Sequence, residues 1–469
     1  MYSSNLRNAA LLGLMSLFCQ TSVAADSSYI KKLKSHYQQV EQLSRLAYKV
    51  EFHSNAPHQS YDFRKPDTIV NHYSIEIDRD RNQYFEHFKR HNPGNFVFEF
   101  ISVINKQQAF RYDVNGFVYG KELRAYTNTM ADEYEAISEQ INLFAAYEFL
   151  HKKKSPIREL HIGNSVSLSY QDTNQHTVSL LFDKNSMQLT EIVNTEDDSK
   201  YVFSEPRPID GMNYASQVKV YNQGKYRHTI AIQSLHRISR IDPKKLTKPT
   251  GYEFIESDKN KTLALSKIHK DIFLVKDLQG SRNVMVQKHI TGLTVFGAPL
   301  SDKASEQVLA LIDEKFNNLP VTHVYISHAH GDHIAGLAPY VNRGATIIAD
   351  DHTIEAIKSF PKFTNNISNL KFKKIKSNEV FQGNRYYVLE NTHVRKQSFV
   401  YFSDAKTIYQ GDFLEIPRDN SIASHMSDVE RVFIEFLMDK KIQYNRIVGH
   451  HRNSDIRPNI VKAYYNNNI

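Results

Sequence analysis

His328-Ala329-His330-Gly331-Asp332-His333 packs three imidazoles and a carboxylate into six residues. The run Val321-Thr322-His323-Val324-Tyr325-Ile326-Ser327 before it reads as an apolar strand. Ile334-Ala335-Gly336-Leu337-Ala338-Pro339-Tyr340 after it reads as helix-like. Imidazole nitrogen and carboxylate oxygen suit zinc, and also iron or manganese. A His-x-His pair alone arises readily from strand alternation. The complete pattern at a strand-to-helix turn lets the side chains diverge, as holding two ions requires.

Three later segments repeat that setting. Glu390-Asn391-Thr392-His393 precedes the strand-like Ser398-Phe399-Val400-Tyr401-Phe402. Thr407-Ile408-Tyr409-Gln410 runs into Gly411-Asp412-Phe413, and Arg446-Ile447-Val448 ends in Gly449-His450. Together with the first motif, in this order, they resemble the metallo-β-lactamase fold superfamily of hydrolases over residues 251–469. The resemblance implies an α/β domain, a four-layer αββα sandwich. It also implies two divalent metal ions, zinc first with iron and manganese as alternatives. By the same resemblance His328, His330 and His393 hold one ion, Asp332, His333 and His450 hold the other, and Asp412 bridges them. His451 is the alternative to His450, which is preferred because a glycine before it fits a strand-end turn. His323 and His352 read as structural.

Such a centre makes hydroxide available near neutral pH, because a metal lowers the pKa of bound water to about 7. The expected activity is hydrolysis of a small ester, thioester, lactone or amide by a metal-bridging hydroxide. Asp332 is the catalytic candidate, both binding metal and orienting the nucleophile. Asp412 stands where zinc β-lactamases carry Cys or Ser, which favours the pattern of thioesterases, lactonases and phosphodiesterases. Position 297 is Gly where many members carry an acidic residue, so support for a metal-holding side chain is expected to be weaker there. The alternatives are a phosphodiesterase or nuclease of the same superfamily, and a binding protein for a lipid or envelope component whose metal domain is secondary.

Outside this region the chain reads differently. Residues 1–25 carry Arg7, an apolar stretch and a small-residue end, Ser22-Val23-Ala24-Ala25, which reads as a cleaved signal peptide to the periplasm or the exterior. The one cysteine, Cys19, lies inside it, so the remaining chain offers neither disulfide nor thiolate. A length of 469 residues predicts two or three domains. Residues 26–242 read as an α+β domain. Helical spacing spans 28–46 and 131–151, and short strand-like runs separated by turns such as Val114-Asn115-Gly116 predict a curved antiparallel sheet. That order resembles, on architecture alone, the half-barrels of periplasmic lipoprotein carriers, which implies a hydrophobic or lipid ligand. Residues 243–252, with Pro243 and Pro249, read as a linker and 253–469 as the hydrolase domain. The net charge of +8 comes from dispersed clusters with no stripe for nucleic acid. A small-molecule substrate is the expected partner.

Overall fold

The computed structural model describes residues 27–152, 157–171, 175–254, 263–365 and 367–469. The leader expected over 1–25 lies outside them. No helix among the described residues is long and apolar enough to cross a membrane. The chain forms two compact units, and they do not divide at 243–252. One holds the described residues up to Val50 with 78–80 and 128–240. The other holds 51–77, 81–127 and 241–469.

In the first unit, helix Ser28–Tyr37 begins where the Ser27 hydroxyl accepts the Ile30 amide at 3.1 Å. Its buried stripe is Ile30, Leu33 and Tyr37. The Tyr37 hydroxyl donates to the Met187 carbonyl at 2.9 Å and accepts the Leu189 amide at 3.2 Å, tying helix to sheet. The periodicity over 28–46 is not one helix: a 3₁₀ turn follows over Gln38–Gln42, and a strand starts at Arg45. The pattern over 131–151 likewise breaks at extended Ile141 into helices Met130–Gln140 and Asn142–Lys152. Apolar spacing carries across such a break because both pieces bury one face. Seven antiparallel strands follow in sheet order Lys225–Arg237, Met212–Asn222, Ser199–Ile209, Leu189–Asn194, Thr177–Asp183, Ser165–Gln171 and Arg158–Ile162. Helix Asn142–Lys152 buries Phe144, Ala146 and Leu150, and the Asn142 carboxamide oxygen accepts the Ala215 amide at 2.9 Å.

The second unit contains two further sheets. The first orders Leu265–His269, Ile272–Leu278, Arg282–His289, Gly292–Phe296, Val321–Tyr325, Thr346–Ala349 and Phe372–Lys374, antiparallel as far as Gly292–Phe296 and parallel after it. The other orders Glu379–Phe381, Asn384–Leu389, Gln397–Phe402, Thr407–Gln410 and Arg446–Gly449, with only the last pair parallel. Alternation splits each strand between two cores. Val324 and Ile347 pack with Val308 and Ile312 of helix Asp302–Phe316. Tyr325 and Ile348 pack with Val400, Tyr409 and Val448 of the other sheet. Ile408 and Ile447 pack with Phe433 of helix Asp428–Asp439 and Val461 of helix Pro458–Asn468.

Residues 51–77 and 81–127 belong with this unit because their aromatic side chains complete its core. Phe96 and Phe117 pack in one cluster with Phe399, Phe413 and Phe433. The stretch read as a linker is packed as well: Leu246 and Tyr252 are buried, the Leu246 carbonyl accepts from Asn105, and the Tyr252 hydroxyl donates to the Asp113 carbonyl at 2.8 Å. Asp113 organises the loop that carries Phe117. Its carboxylate accepts the backbone amides of Asn115, Gly116, Val118 and Tyr119. Asp113→Ala leaves buried amides unpaired, and is expected to destabilise the protein by about 2–4 kcal/mol, read as a lower urea midpoint.

Candidate metal centre

The side chains singled out in the sequence gather beyond the C-terminal ends of four strands. His328, His330, Asp332 and His333 follow Val321–Tyr325, and His393 follows Asn384–Leu389. Asp412 follows Thr407–Gln410, and His451 follows Arg446–Gly449. Side-chain donors of His328, His330, His393 and Asp412 all lie within 4.8 Å of one another, as do those of Asp332, His333 and His451. Asp412 belongs with both groups. Its Oδ2 is 3.6 Å from His328 Nε2 and 3.3 Å from His393 Nε2, while its Oδ1 is 3.1 Å from His333 Nε2 and 2.9 Å from His451 Nε2.

The last histidine corrects the sequence preference. The His450 amide donates to the Gln410 carbonyl, continuing the strand ladder, so its side chain alternates onto the face of Val448, between the sheets. There His450 Nδ1 meets the Tyr409 hydroxyl at 2.8 Å. His451, one residue past the ladder, reaches the cluster instead, with Nε2 at 3.2 Å from His333 Nε2. The same packing accounts for Gly297: at φ +103°, a Cβ would stand 2.4 Å from the Tyr409 hydroxyl and 3.1 Å from the His450 ring. Position 297 therefore has no room for an acidic side chain, and it abuts His450 rather than the cluster. His323 and His352 lie outside the cluster: His323 bonds Thr322 and Gln382, and His352 points to Asp62.

Neighbours fix which ring nitrogen faces inward. His328 Nδ1 lies 3.1 Å from the Ser327 hydroxyl, His330 Nε2 3.1 Å from the Ser60 carbonyl, and His393 Nδ1 3.0 Å from the Pro93 carbonyl. A carbonyl can only accept, so the rings of His330 and His393 present the opposite, unprotonated nitrogen to the centre. Asp332 is held at both oxygens, by Gln59 at 2.9 Å and Arg282 at 3.0 Å. Gly94, at φ +87°, lets its turn approach closely: a Cβ there would come within 2.8 Å of His393 Cβ. Gly411 does the same beneath Ser327, whose hydroxyl would lie 2.4 Å from an added Cβ.

A cavity of about 200 Å³ opens above the cluster. Its walls include Phe96, Phe98 and Phe117, three arginines (Arg90, Arg282, Arg452) and Glu415. Glu415 is paired with Arg452 at 2.6 Å, yet burial pushes its carboxyl up to about 8. Gln59, Ser60, Arg90, Pro93, Phe96 and Phe117 were not anticipated as site residues. They belong to strands and turns whose sequence shows only aromatic alternation.

The electrostatics favour neutral imidazoles between ionised carboxylates. Burial lowers His328 and His450 well below the ordinary imidazole value, and holds His330 at about 3 and His451 at about 4. For His333 burial also opposes charge, but the carboxylates of Asp412 and Asp332 outweigh it and raise the ring. Burial works to raise Asp332 and Asp412, but the imidazoles of His333 and His451 hold both well below the usual carboxylate range.

Residues 291–381 match the family model of the metallo-beta-lactamase superfamily. The matched stretch of the C-terminal region is similar to this superfamily. A metal-dependent hydrolase of Bacillus cytotoxicus is 22% identical over 132 residues, 26% of this chain and 58% of the relative. The chain thus spans little more than half the length of that curated relative. Among solved structures, the mono-zinc metallo-beta-lactamase FIM-1 of Pseudomonas aeruginosa is 10% identical, covering 45% of this chain and 96% of its own, with a TM-score of 0.34. The rubredoxin oxygen:oxidoreductase of Desulfovibrio gigas is 15% identical, covering 43% and 61%, with a TM-score of 0.36.

The pKa directions give a pH dependence for the metal-free protein. An unfolded imidazole titrates near 6.5. Between that value and about 3–4, the unfolded chain binds protons that folded His330 and His451 refuse. Stability is then full above about pH 6.5 and falls on acidification, by up to ~1.4 kcal/mol per pH unit for each such group. His328 and His450 act in the same direction; His333 opposes them, and so do the carboxyls of Glu415 and Glu430, which burial raises so that they take up protons on folding, but the four lowered imidazoles outnumber these three. Urea midpoints of chelator-treated protein are expected to decline steadily from pH 7 to 4.5; a flat profile would refute the burial argument.

Proposed function

We propose that the second unit is a metal-dependent hydrolase that holds two divalent ions. The observation that carries this is a set of orphaned atoms. His328 Nε2 and His393 Nε2 are buried with no hydrogen-bond partner, and they converge with His330 on Asp412. A buried polar group left unpaired costs about 1–3 kcal/mol, so several at one point require a ligand to satisfy them. Zinc–nitrogen bonds of about 2.0–2.1 Å hold two nitrogens of a tetrahedral ion roughly 3.3 Å apart, close to the spacings in the cluster.

In this reading His328, His330 and His393 hold one ion, Asp332, His333 and His451 hold the other, and Asp412 serves both. The donor set has no sulfur and suits zinc, with iron and manganese compatible. A divalent ion here would lower the pKa of bound water to about 7 and polarise a substrate oxygen. The protein's own groups do the rest. Gln59 and Arg282 fix Asp332 at both oxygens, so this carboxylate orients a nucleophilic water. The raised carboxyl of Glu415, at about 8, can hold a proton near neutrality on the cavity wall. The phenylalanines exclude bulk water. Ester, thioester, lactone or amide hydrolysis is the leading class. Phosphodiester hydrolysis is the second reading, favoured by the three cavity arginines. Helix–sheet–sheet–helix layering is the arrangement that the three cores of this unit support. Export to the periplasm rests on the composition of residues 1–25.

Metal analysis after metal-replete purification tests the assignment. About two ions per chain are expected for the wild type and for His450→Ala, and about one for His451→Ala. His451→Ala is further expected to lose more than ~100-fold in kcat/KM on the best of a chromogenic thioester, a lactone and bis(p-nitrophenyl) phosphate, since even outer partners of metal ligands contribute 10–100-fold. Less than one ion per wild-type chain would sink the proposal.

A further inference from the structure

Of the three cavity arginines, two are already engaged: Arg282 with Asp332 at 3.0 Å, and Arg452 with Glu415 at 2.6 Å. Arg90 is different. Its side chain lines the same cavity, but makes no hydrogen bond or ion pair among the described residues, and its Nε is buried without a partner. Its guanidinium carbon lies 5.0 Å from the centre of the Phe98 ring, so the group is packed in place rather than extended into water. Burial lowers its pKa, and the charges of Tyr73 and Asp332 offset that only in part. Asn92 Oδ1, on the same strand Gln83–Asn92 and the same cavity wall, also lacks a partner.

A guanidinium cannot discard its proton under ordinary conditions, and it offers five donors in a planar fork. Left unpaired in a half-buried wall, it is destabilising unless an anion enters. The cavity's own carboxylates cannot serve. Asp332 attracts Arg90 but is hydrogen-bonded to Arg282 and Gln59, Glu415 faces Arg452, and Asp412 lies among the imidazoles. Phenylalanines stand beside Arg90 in the wall: Phe96 and Phe117 pack at a 45° tilt with centroids 5.4 Å apart, and Phe98 and Phe117 meet edge to face at 5.4 Å.

We propose that Arg90 anchors an anionic group of the substrate, and that Phe96, Phe98 and Phe117 receive an apolar portion beside it, so that the hydrolase acts on amphiphilic organic anions. This rests on the hydrolase reading for the reaction, but not for the binding. Arg90 comes from a strand well before the matched region 291–381, and so adds specificity that this region does not itself supply. Carboxylate, phosphate and sulfate share the recognition chemistry, a planar fork on two oxygens.

Calorimetric titration with octanesulfonate tests it, because a sulfonate is a weak metal ligand and reports the arginine. Zinc-loaded wild type, Arg90→Ala, Arg90→Lys and Phe98→Ala are compared, and metal per chain is measured in each. Wild type is expected to bind octanesulfonate at least ~10-fold more tightly than Arg90→Ala, the worth of one charge-assisted hydrogen bond or more. Arg90→Lys should recover part of that loss. Methanesulfonate should bind wild type at least ~10-fold more weakly than octanesulfonate, and Phe98→Ala should narrow that gap. Competition by octanoate and octyl phosphate ranks the headgroups. Absence of octanesulfonate binding to wild type, or equal binding by wild type and Arg90→Ala, overturns the inference. A low metal count with the Arg90 difference intact would instead overturn the hydrolase reading and leave the anion site standing.

Discussion

Buried nitrogen and oxygen atoms that face one another without partners are the constraint on which this structure depends. In the metal-free chain such a cluster is unfavourable: neutral imidazoles crowd together, and two ionised carboxylates are taken out of water. It persists because each side chain is fixed from behind. Ser327, the Ser60 carbonyl and the Pro93 carbonyl hold three imidazoles, and Gln59 and Arg282 hold Asp332. The strands stop short of the ligands, so the two sheets form a rigid base while the donors project from the turns above. The Ser398 amide donates to the Ser327 carbonyl at 2.8 Å, joining the two sheets directly beneath the centre.

That support explains why residues 51–77 and 81–127 belong to the same compact unit as the C-terminal region. The turn at Pro93-Gly94 presents a carbonyl to His393, while Phe96 sets its ring 5.1 Å from the same imidazole. Phe96 in turn packs at a tilt against Phe117, whose loop is clamped by Asp113. A chain of contacts therefore runs from one buried carboxylate, through two aromatic rings, to the imidazole of His393 in the cluster. These segments both finish a hydrophobic core and hold the chemistry in place.

The sequence carried the site far better than its surroundings. His328 to His333, His393 and Asp412 are chemically distinctive, recur at strand ends and were readable in order. The backbone carbonyls of Ser60 and Pro93 have no side-chain signature, and their role depends on which strand lies opposite, a contact separated by about 300 residues in the case of His393. Periodicity reported the buried faces of 28–46 and 131–151 but not the breaks within them, because a short extended residue such as Ile141 leaves the apolar spacing almost unchanged. The linker at 243–252 had the composition of an exposed boundary, yet Leu246 and Tyr252 are anchored. Two buried apolar residues among prolines and lysines are too weak a signal to be read.

His450 and His451 show most sharply where sequence reasoning stops. Glycine before histidine was the argument for His450, and Gly449 is indeed closely packed, with the Asn453 carbonyl 2.9 Å from where its Cβ would lie. The deciding quantity, however, is how far the ladder extends. With the His450 amide still bonded to Gln410, strand alternation sends that ring between the sheets, where the Tyr409 hydroxyl and the space left by Gly297 receive it. Had the register of this strand slipped by one residue, the two side chains would exchange faces. The glycine at 297 and the histidine at 450 are then one feature: a small residue on one sheet makes room for a ring on the other. An acidic residue at 297 could be accommodated only if both Tyr409 and His450 moved. The departure at 297 therefore reflects how the two sheets meet, and the cluster that ends in His451 does not depend on it.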